Sequence, residues 1–348
     1  MMSQVSQKHA LARCVVVVIG RNEGQRLTLA LEQLKRIGCP VVYVDSDSSD
    51  SSVEDASAMG IPVLELDSSQ GLSAAKARNA GARWASEMYP EVEFFQFIDG
   101  DCLMDTQWLP RAISAMDGPD MVGVCGRCQE MYPEASIYNK LCDMEWDGPV
   151  GLIEATGGNV MIRRSSFEHV GGFDPTLVAG EEPELCFRLR SQGGSILRID
   201  AKMVLHDADM HHFSQWWKRC LRGGYADAAS QWKHRGRPGH FRRRAVLSAL
   251  LWGLFIPCFI IILSLITAGI GVVLLVLYPL LGYRIRRRMR ARGIGKKAAM
   301  LYAVACVVSK FSGVLGIALY HWRRISGQRP TLIEHKPSPS CTEGRSSL

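Results

Sequence analysis

Two aspartates separated by one glycine, Asp99-Gly100-Asp101, close a run in which five of the seven residues Val92–Ile98 are apolar and three of those are aromatic. Such a run suits a strand buried on both faces of a parallel sheet. Residues two apart in an extended chain point the same way, so the spacing predicts that Asp99 and Asp101 converge on one small object. Gly100, without a side chain, is expected to let a bulky ligand approach the backbone. Two carboxylates are too few to enclose a divalent cation, but they can hold Mg2+ or Mn2+ when a diphosphate supplies further oxygens. A solvated Asp-Gly-Asp turn is the bland alternative.

Four other stretches carry groups that could do chemistry. Val44-Asp45 is followed by Ser46-Asp47-Ser48-Ser49-Asp50-Ser51-Ser52. The serines and Asp50 suit a helix cap, whereas Asp45, at a strand's carboxyl end, is placed to bond a ribose or a base. Gly71–Gly81 sets Arg78 and Asn79 in a helix of small residues, from which Arg78 could reach a base or a phosphate. Gly180-Glu181-Glu182-Pro183-Glu184 gathers three acids at a helix start, where the dipole favours them and where one carboxylate could act as a general base. His206 follows the apolar stretch ending at Leu205 and precedes Asp207 and Asp209.

Positioning these groups requires alternating strands and helices. Cys14–Ile19, Pro40–Asp45, Pro62–Leu66 and Val92–Asp99 read as strands; Arg26–Ile37 and Ser73–Trp84 read as helices. This βαβα order predicts an α/β fold with a doubly wound, mostly parallel sheet, whose strand ends would bring the acids to one edge.

The chain is electrically divided. Residues 1–210 carry 18 Lys+Arg against 31 Asp+Glu, and residues 211–330 carry 21 against one, Asp227. The basic charges flank long apolar runs, which favours an anionic membrane surface over nucleic acid. Residues 211–244 read as a basic amphipathic segment at a bilayer interface. Ala245–Tyr283 is 39 residues without a charge; one helix of that length would measure about 58 Å, so a transmembrane hairpin of two spans is predicted, with its turn within 264–271. Arginines on both sides place its ends, the basic loop 284–297 and the N-terminal domain in the cytoplasm, at the inner membrane. Residues 298–322 form a third membrane or interfacial helix, and 323–348 a disordered tail. Eleven scattered cysteines, an odd number, read as reduced structural thiols. Residues 1–13 offer no signal peptide.

Taken in order, these motifs resemble those of the family 2 glycosyltransferases, whose catalytic domain has the GT-A fold. The resemblance covers about residues 13–210. It rests on Arg21-Asn22-Glu23; the Asp45–Asp50 turn; Ala77-Arg78-Asn79; Asp99-Gly100-Asp101; Gly157-Gly158-Asn159; Gly171-Gly172-Phe173-Asp174; and the Glu181-Glu182 helix ending in Arg188-Leu189. The C-terminal helices look like those of membrane-bound bacterial members that build surface polysaccharides or glycolipids. The resemblance implies a nucleotide diphosphate-sugar donor, a lipid-linked acceptor hydroxyl, Mg2+ or Mn2+, and membrane lipids as surroundings. It assigns Asp45, Arg78 and Asp99 to the nucleotide-sugar, Asp101 and His206 to the metal, and Glu182 to the base. Most members have Asp at that last position. The Gln-x-x-Arg-Trp signature of processive members is absent, which implies single-sugar addition, with Arg219 or Arg222 reaching the diphosphate. Two rivals are a sugar-nucleotide pyrophosphorylase, for which Gly20–Gly24 is a poor phosphate loop, and a non-catalytic membrane scaffold.

Overall fold

A computed structural model describes residues 10–67, 69 and 71–328. The tail expected to be disordered falls largely outside them. The chain divides into two compact units: residues up to Tyr132 with Glu145–Ala208, and Pro133–Met144 with the described residues from Asp209 onward. The division therefore falls two residues before the boundary read at 210, and it moves one internal segment into the second unit. Within that unit, Asn139 Oδ1 accepts from the Met210 amide at 3.0 Å and Tyr138 packs on Trp216, which ties 133–144 to the residues after Ala208.

The first unit is built on one mixed sheet. Its strands are β1 (Cys14–Gly20), β2 (Val41–Asp45), β3 (Val63–Glu65), β4 (Phe94–Asp99), β5 (Cys102–Met104), β6 (Met121–Glu130), β7 (Gly151–Leu152), β8 (Val160–Arg163) and β9 (Ser195–His206). They run β3-β2-β1-β4-β8-β6-β9-β5, with β7 on β9. The half from β3 to β4 is parallel, as the unbroken apolar runs require; β8 then enters antiparallel to β4. Residues 14–18, 42–44 and Phe94, Phe95 and Phe97 are completely buried, so the strand cores are held by removal of apolar surface from water.

Two registers fix the site. Gly20 pairs with Asp45 and Ile19 with Asp99, which brings the carboxyl ends of β1, β2 and β4 to one edge. Cys102 pairs with His206, which brings the end of β9 beside the turn after β4. The helix Ala74–Met88 lies tight on the sheet at Gly81, where a Cβ would come within 2.5 Å of Val17 and 2.8 Å of Val44.

The second unit is helical. Phe213–Lys233 is one helix, and its small-residue face is covered by the helix Lys296–Ile325: a side chain at Gly224 would strike the Gly313 backbone, and one at Gly316 the carbonyl of Leu221. This third long helix thus packs along the amphipathic one. The apolar run after Arg243 forms a helix to Ile266, turns at Thr267–Gly269, and returns as a 3-10 segment Ile270–Val276 followed by the helix Leu277–Ala291. Ala268 and Gly269 take positive φ in that turn. The two limbs are unequal, and among the described residues the helices long and apolar enough to cross a membrane are Arg243–Ile266 and Lys296–Ile325. Large apolar side chains stay exposed along both limbs, among them Phe259, Leu265, Ile266, Ile270 and Val273.

Candidate active site

Arg78 is the centre of the site. It projects from the helix Ala74–Met88 and is only 2% exposed. One guanidinium nitrogen, Nη2, donates to Asp99 Oδ1 at 2.8 Å. The other, Nη1, donates to Glu181 Oε1 at 3.0 Å and to Glu182 Oε1 at 3.3 Å. Burial opposes its charge, but Asp99, Glu182 and Glu181 outweigh burial and raise its pKa further. Phe173 lies under the guanidinium at 5.4 Å. Asn79 fixes that ring by accepting from the Phe173 amide (2.8 Å) and donating to its carbonyl (2.7 Å). Arg78, expected to reach the nucleotide, bonds three carboxylates here: Asp99 at the end of β4, and Glu181 and Glu182 in the helix Glu181–Ser191.

Those carboxylates differ in access. The side chains of Glu181 and Arg78 are buried, that of Glu182 is 17% exposed and that of Asp99 27%. Burial, reinforced by Glu181 and opposed by Arg78, pushes the Glu182 carboxyl up to about 7. It therefore holds and releases a proton near neutrality. Glu184, the other candidate in this helix, is fully buried and gripped by Arg188 at 2.7–3.0 Å, so it is committed to structure. Gly158 closes this group: a Cβ there would lie 2.8 Å from Asp99 Oδ2 and 3.2 Å from Glu182 Oε1 and would strike Arg78.

Asp99 and Asp101 take different partners, because the chain turns at Gly100 rather than continuing as a strand. Asp101 Oδ2 lies 3.3 Å from His206 Nε2. Asp101, Cys102 and His206 offer ligand atoms within 4.8 Å of one another, the one such trio among the described residues. Burial opposes a charge on His206, yet Asp101 and Cys102 raise its pKa well above the usual imidazole range. Burial pushes the Cys102 thiol far up, which keeps it protonated and a poor ligand for a hard cation. Asp101 and His206 remain as residues that could hold a divalent cation, His206 once its proton is released. Gly100 itself faces inward, where a Cβ would meet the Ile19 carbonyl at 3.2 Å and Leu27 at 3.3 Å. Its lack of a side chain thus serves packing against β1 and the helix Gln25–Ile37, not ligand access.

Asp45 is 1% exposed. It accepts from the Tyr43 hydroxyl (2.7 Å), the Ser48 amide (2.7 Å) and the Ser48 hydroxyl (2.6 Å). Asn22 and Ser49 complete the turn, since Asn22 Oδ1 accepts from the Ser49 amide at 2.7 Å. Arg219 and Arg222 lie on the helix Phe213–Lys233 of the second unit.

Two contributors had weak or no sequence signals. Trp146 stacks flat on His206, with centroids 4.5 Å apart and planes 3° off parallel; nothing near Trp146 in the sequence marks it. Asn159 accepts from the Asp99 amide at 3.1 Å and donates to Cys102 Sγ at 3.4 Å, joining the two halves of the site. Only its place after Gly157-Gly158 singled it out.

Residues 15–171 match the family model described as Glycosyl transferase family 2. The pre-mycofactocin glycosyltransferase of Mycobacterium tuberculosis is 26% identical over 212 residues, a match taking in 55% of this chain and 42% of that protein. The glycosyltransferase AglE of Haloferax volcanii is 28% identical over 194 residues, 53% of this chain and 61% of that one. The chain thus spans about half the length of the curated relatives it matches. In structure it is similar to the mannosyltransferase PcManGT from Pyrobaculum calidifontis, solved in complex with GDP-Man and Mn2+. The TM-score is 0.58 at 17% identity, covering 90% of this chain and 88% of that one, which shows a shared GT-A fold.

Proposed function

We propose that this chain, whose residues 15–171 match the model described as Glycosyl transferase family 2, is a membrane-anchored inverting enzyme that moves one sugar from a nucleotide diphosphate-sugar to a lipid-linked acceptor hydroxyl. The observation that carries this reading is the Glu182 carboxyl, held on Arg78 beside Asp99 and raised to about 7. In the reaction the acceptor oxygen attacks the anomeric carbon, and Glu182 takes the hydroxyl proton. The bond from that carbon to the diphosphate breaks, with its electron pair leaving on the diphosphate, so no covalent enzyme intermediate is needed. Arg78 holds Glu182 and Asp99 at fixed spacing, the latter against the donor sugar. Asp45 shapes the serine turn that receives the nucleoside. Asp101 and His206 would hold the divalent cation, with Trp146 locking the imidazole plane. When bound, that cation supplies positive charge against the departing diphosphate.

The complex of the mannosyltransferase neighbour supports a nucleotide-sugar and Mn2+ as ligands of this fold. The arginine-flanked apolar helices support an anchor in the inner membrane with the catalytic unit in the cytoplasm. The test is a panel of nucleotide-sugars offered to the full chain in detergent with Mn2+ and lipid-linked acceptors. Release of nucleoside diphosphate with a glycosylated lipid is expected. Formation of a nucleotide-sugar from a sugar phosphate and a nucleoside triphosphate would overturn the reading in favour of a pyrophosphorylase.

A further inference from the structure

A second concentration of charge lies wholly within the helical unit. Trp232, in the last turn of the helix Phe213–Lys233, has the guanidinium carbon of Arg235 3.7 Å from its ring centroid and that of Arg324 3.6 Å from it. Two guanidinium groups cannot share one ring face at such distances. The indole is therefore sandwiched, with one cation on each side. The C-terminal ends of two helices meet here, and their dipoles favour one cation apiece. That does not neutralise the whole group. The single acid among residues 211–330 is Asp227, and it lies 3.5 Å from Arg242.

The clamp also has a defined position along the apolar helix. Ala228, Val246, Ala249 and Ile317 form one buried cluster. The first turns of the helix Arg243–Ile266 therefore lie about one turn before Trp232 on one neighbour and about two turns before Arg324 on the other. Arg243 and Arg244 are exposed at this same end, and so are Trp322 and Ile325. Cations, an indole and exposed apolar side chains at the polar end of a long apolar helix match the depth at which lipid phosphates sit.

We propose that the Arg235–Trp232–Arg324 clamp is a docking site for the phosphate of an anionic membrane lipid. The proposal rests on the membrane reading above and adds a specific headgroup site to it. A lipid is preferred to a free phosphate because Trp322 and Ile325 offer apolar surface beside the clamp, which acyl chains would cover and a free ion would not.

The full chain is placed in nanodiscs that contain either brominated phosphatidylglycerol or brominated phosphatidylcholine at equal mole fraction. The quenching assigned to Trp232 is taken as the difference from Trp232→Phe. Stronger quenching by the anionic lipid is expected, with the preference falling about five-fold for each of Arg235→Gln and Arg324→Gln, as about one unit charge at a lipid surface predicts. Both arginines are exposed at helix ends, and the wild-type comparison stands without any variant. Equal quenching by the two lipids in an inserted protein overturns the clamp and leaves the membrane reading intact. Loss of the preference on adding millimolar inorganic phosphate overturns the lipid in favour of a free anion. Failure to enter either nanodisc overturns the membrane reading, and the clamp with it.

Discussion

Replacing Arg78 by Met would remove the one cation shared by Asp99, Glu181 and Glu182 while nearly preserving its length. Removing one partner of a buried ion pair costs about 3–5 kcal/mol, chiefly because a charge is stranded away from water. Asp99 and Glu182 are partly open to solvent, which discounts their shares; Glu181 is buried and sets the cost. For a unit of this size about 1 kcal/mol corresponds to some 2–4 °C, so the thermal midpoint of the sheet unit should fall by roughly 6–20 °C. The sign with pH follows from the charges. Without Arg78, burial and Glu181 act unopposed on Glu182 and favour its protonated form in the folded state, so the deficit should be largest above neutrality and shrink as pH falls. Arg78→Lys, which keeps the charge but not the forked geometry, should lie between. The assay is thermal unfolding of the three proteins across about pH 5 to 8. A deficit of Arg78→Met below about 1 kcal/mol, or one that does not change with pH, would refute the view of Arg78 as the neutralising centre.

Other consequences follow from the same geometry. Asp101→Asn and His206→Ala should each weaken Mn2+-dependent nucleotide binding and abolish or cripple transfer without unfolding the sheet, and full activity in excess chelator would remove the metal from the account. Because Glu182 titrates at about 7, the transfer rate should rise with pH through that value and be down to about one tenth a unit below it; a flat profile from about pH 6 to 8 would contradict a Glu182 base. Cysteine placed at position 290, in the basic segment after the apolar hairpin, should resist labelling from outside intact cells, and external labelling there would overturn the orientation.

The parallel half of the sheet was legible because its strands are buried on both faces, so Cys14–Ile19 and Phe94–Ile98 carry apolar runs that nothing else would need. The same logic placed Asp45 and Asp99 at one edge, and the register confirms it. What failed was local reasoning applied to a turn. Asp99 and Asp101 would converge only in an extended chain, and the break at Gly100 sends one carboxylate to Arg78 and the other to His206. The stacking of Trp146 on His206 joins positions 60 residues apart and leaves no periodic trace. Likewise, three acids at a helix start look equivalent in sequence; only packing shows Glu184 locked to Arg188, Glu181 buried and Glu182 open. In the second unit, apolar length revealed the long helices. The pairing of Gly224 with Gly313 depends on where two small residues meet, which spacing within one helix does not encode.

The central claim is that Glu182 accepts the proton of the acceptor hydroxyl during sugar transfer. The most direct measurement is the single-turnover transfer rate and donor affinity of Glu182→Gln, which keeps the side chain's shape and its place beside Arg78 but cannot take a proton. The account predicts a rate lower by about 10²–10⁴-fold, with donor binding unchanged and the rise in rate around pH 7 gone. A Glu182→Gln enzyme that keeps most of its rate, with that pH dependence intact, would contradict it.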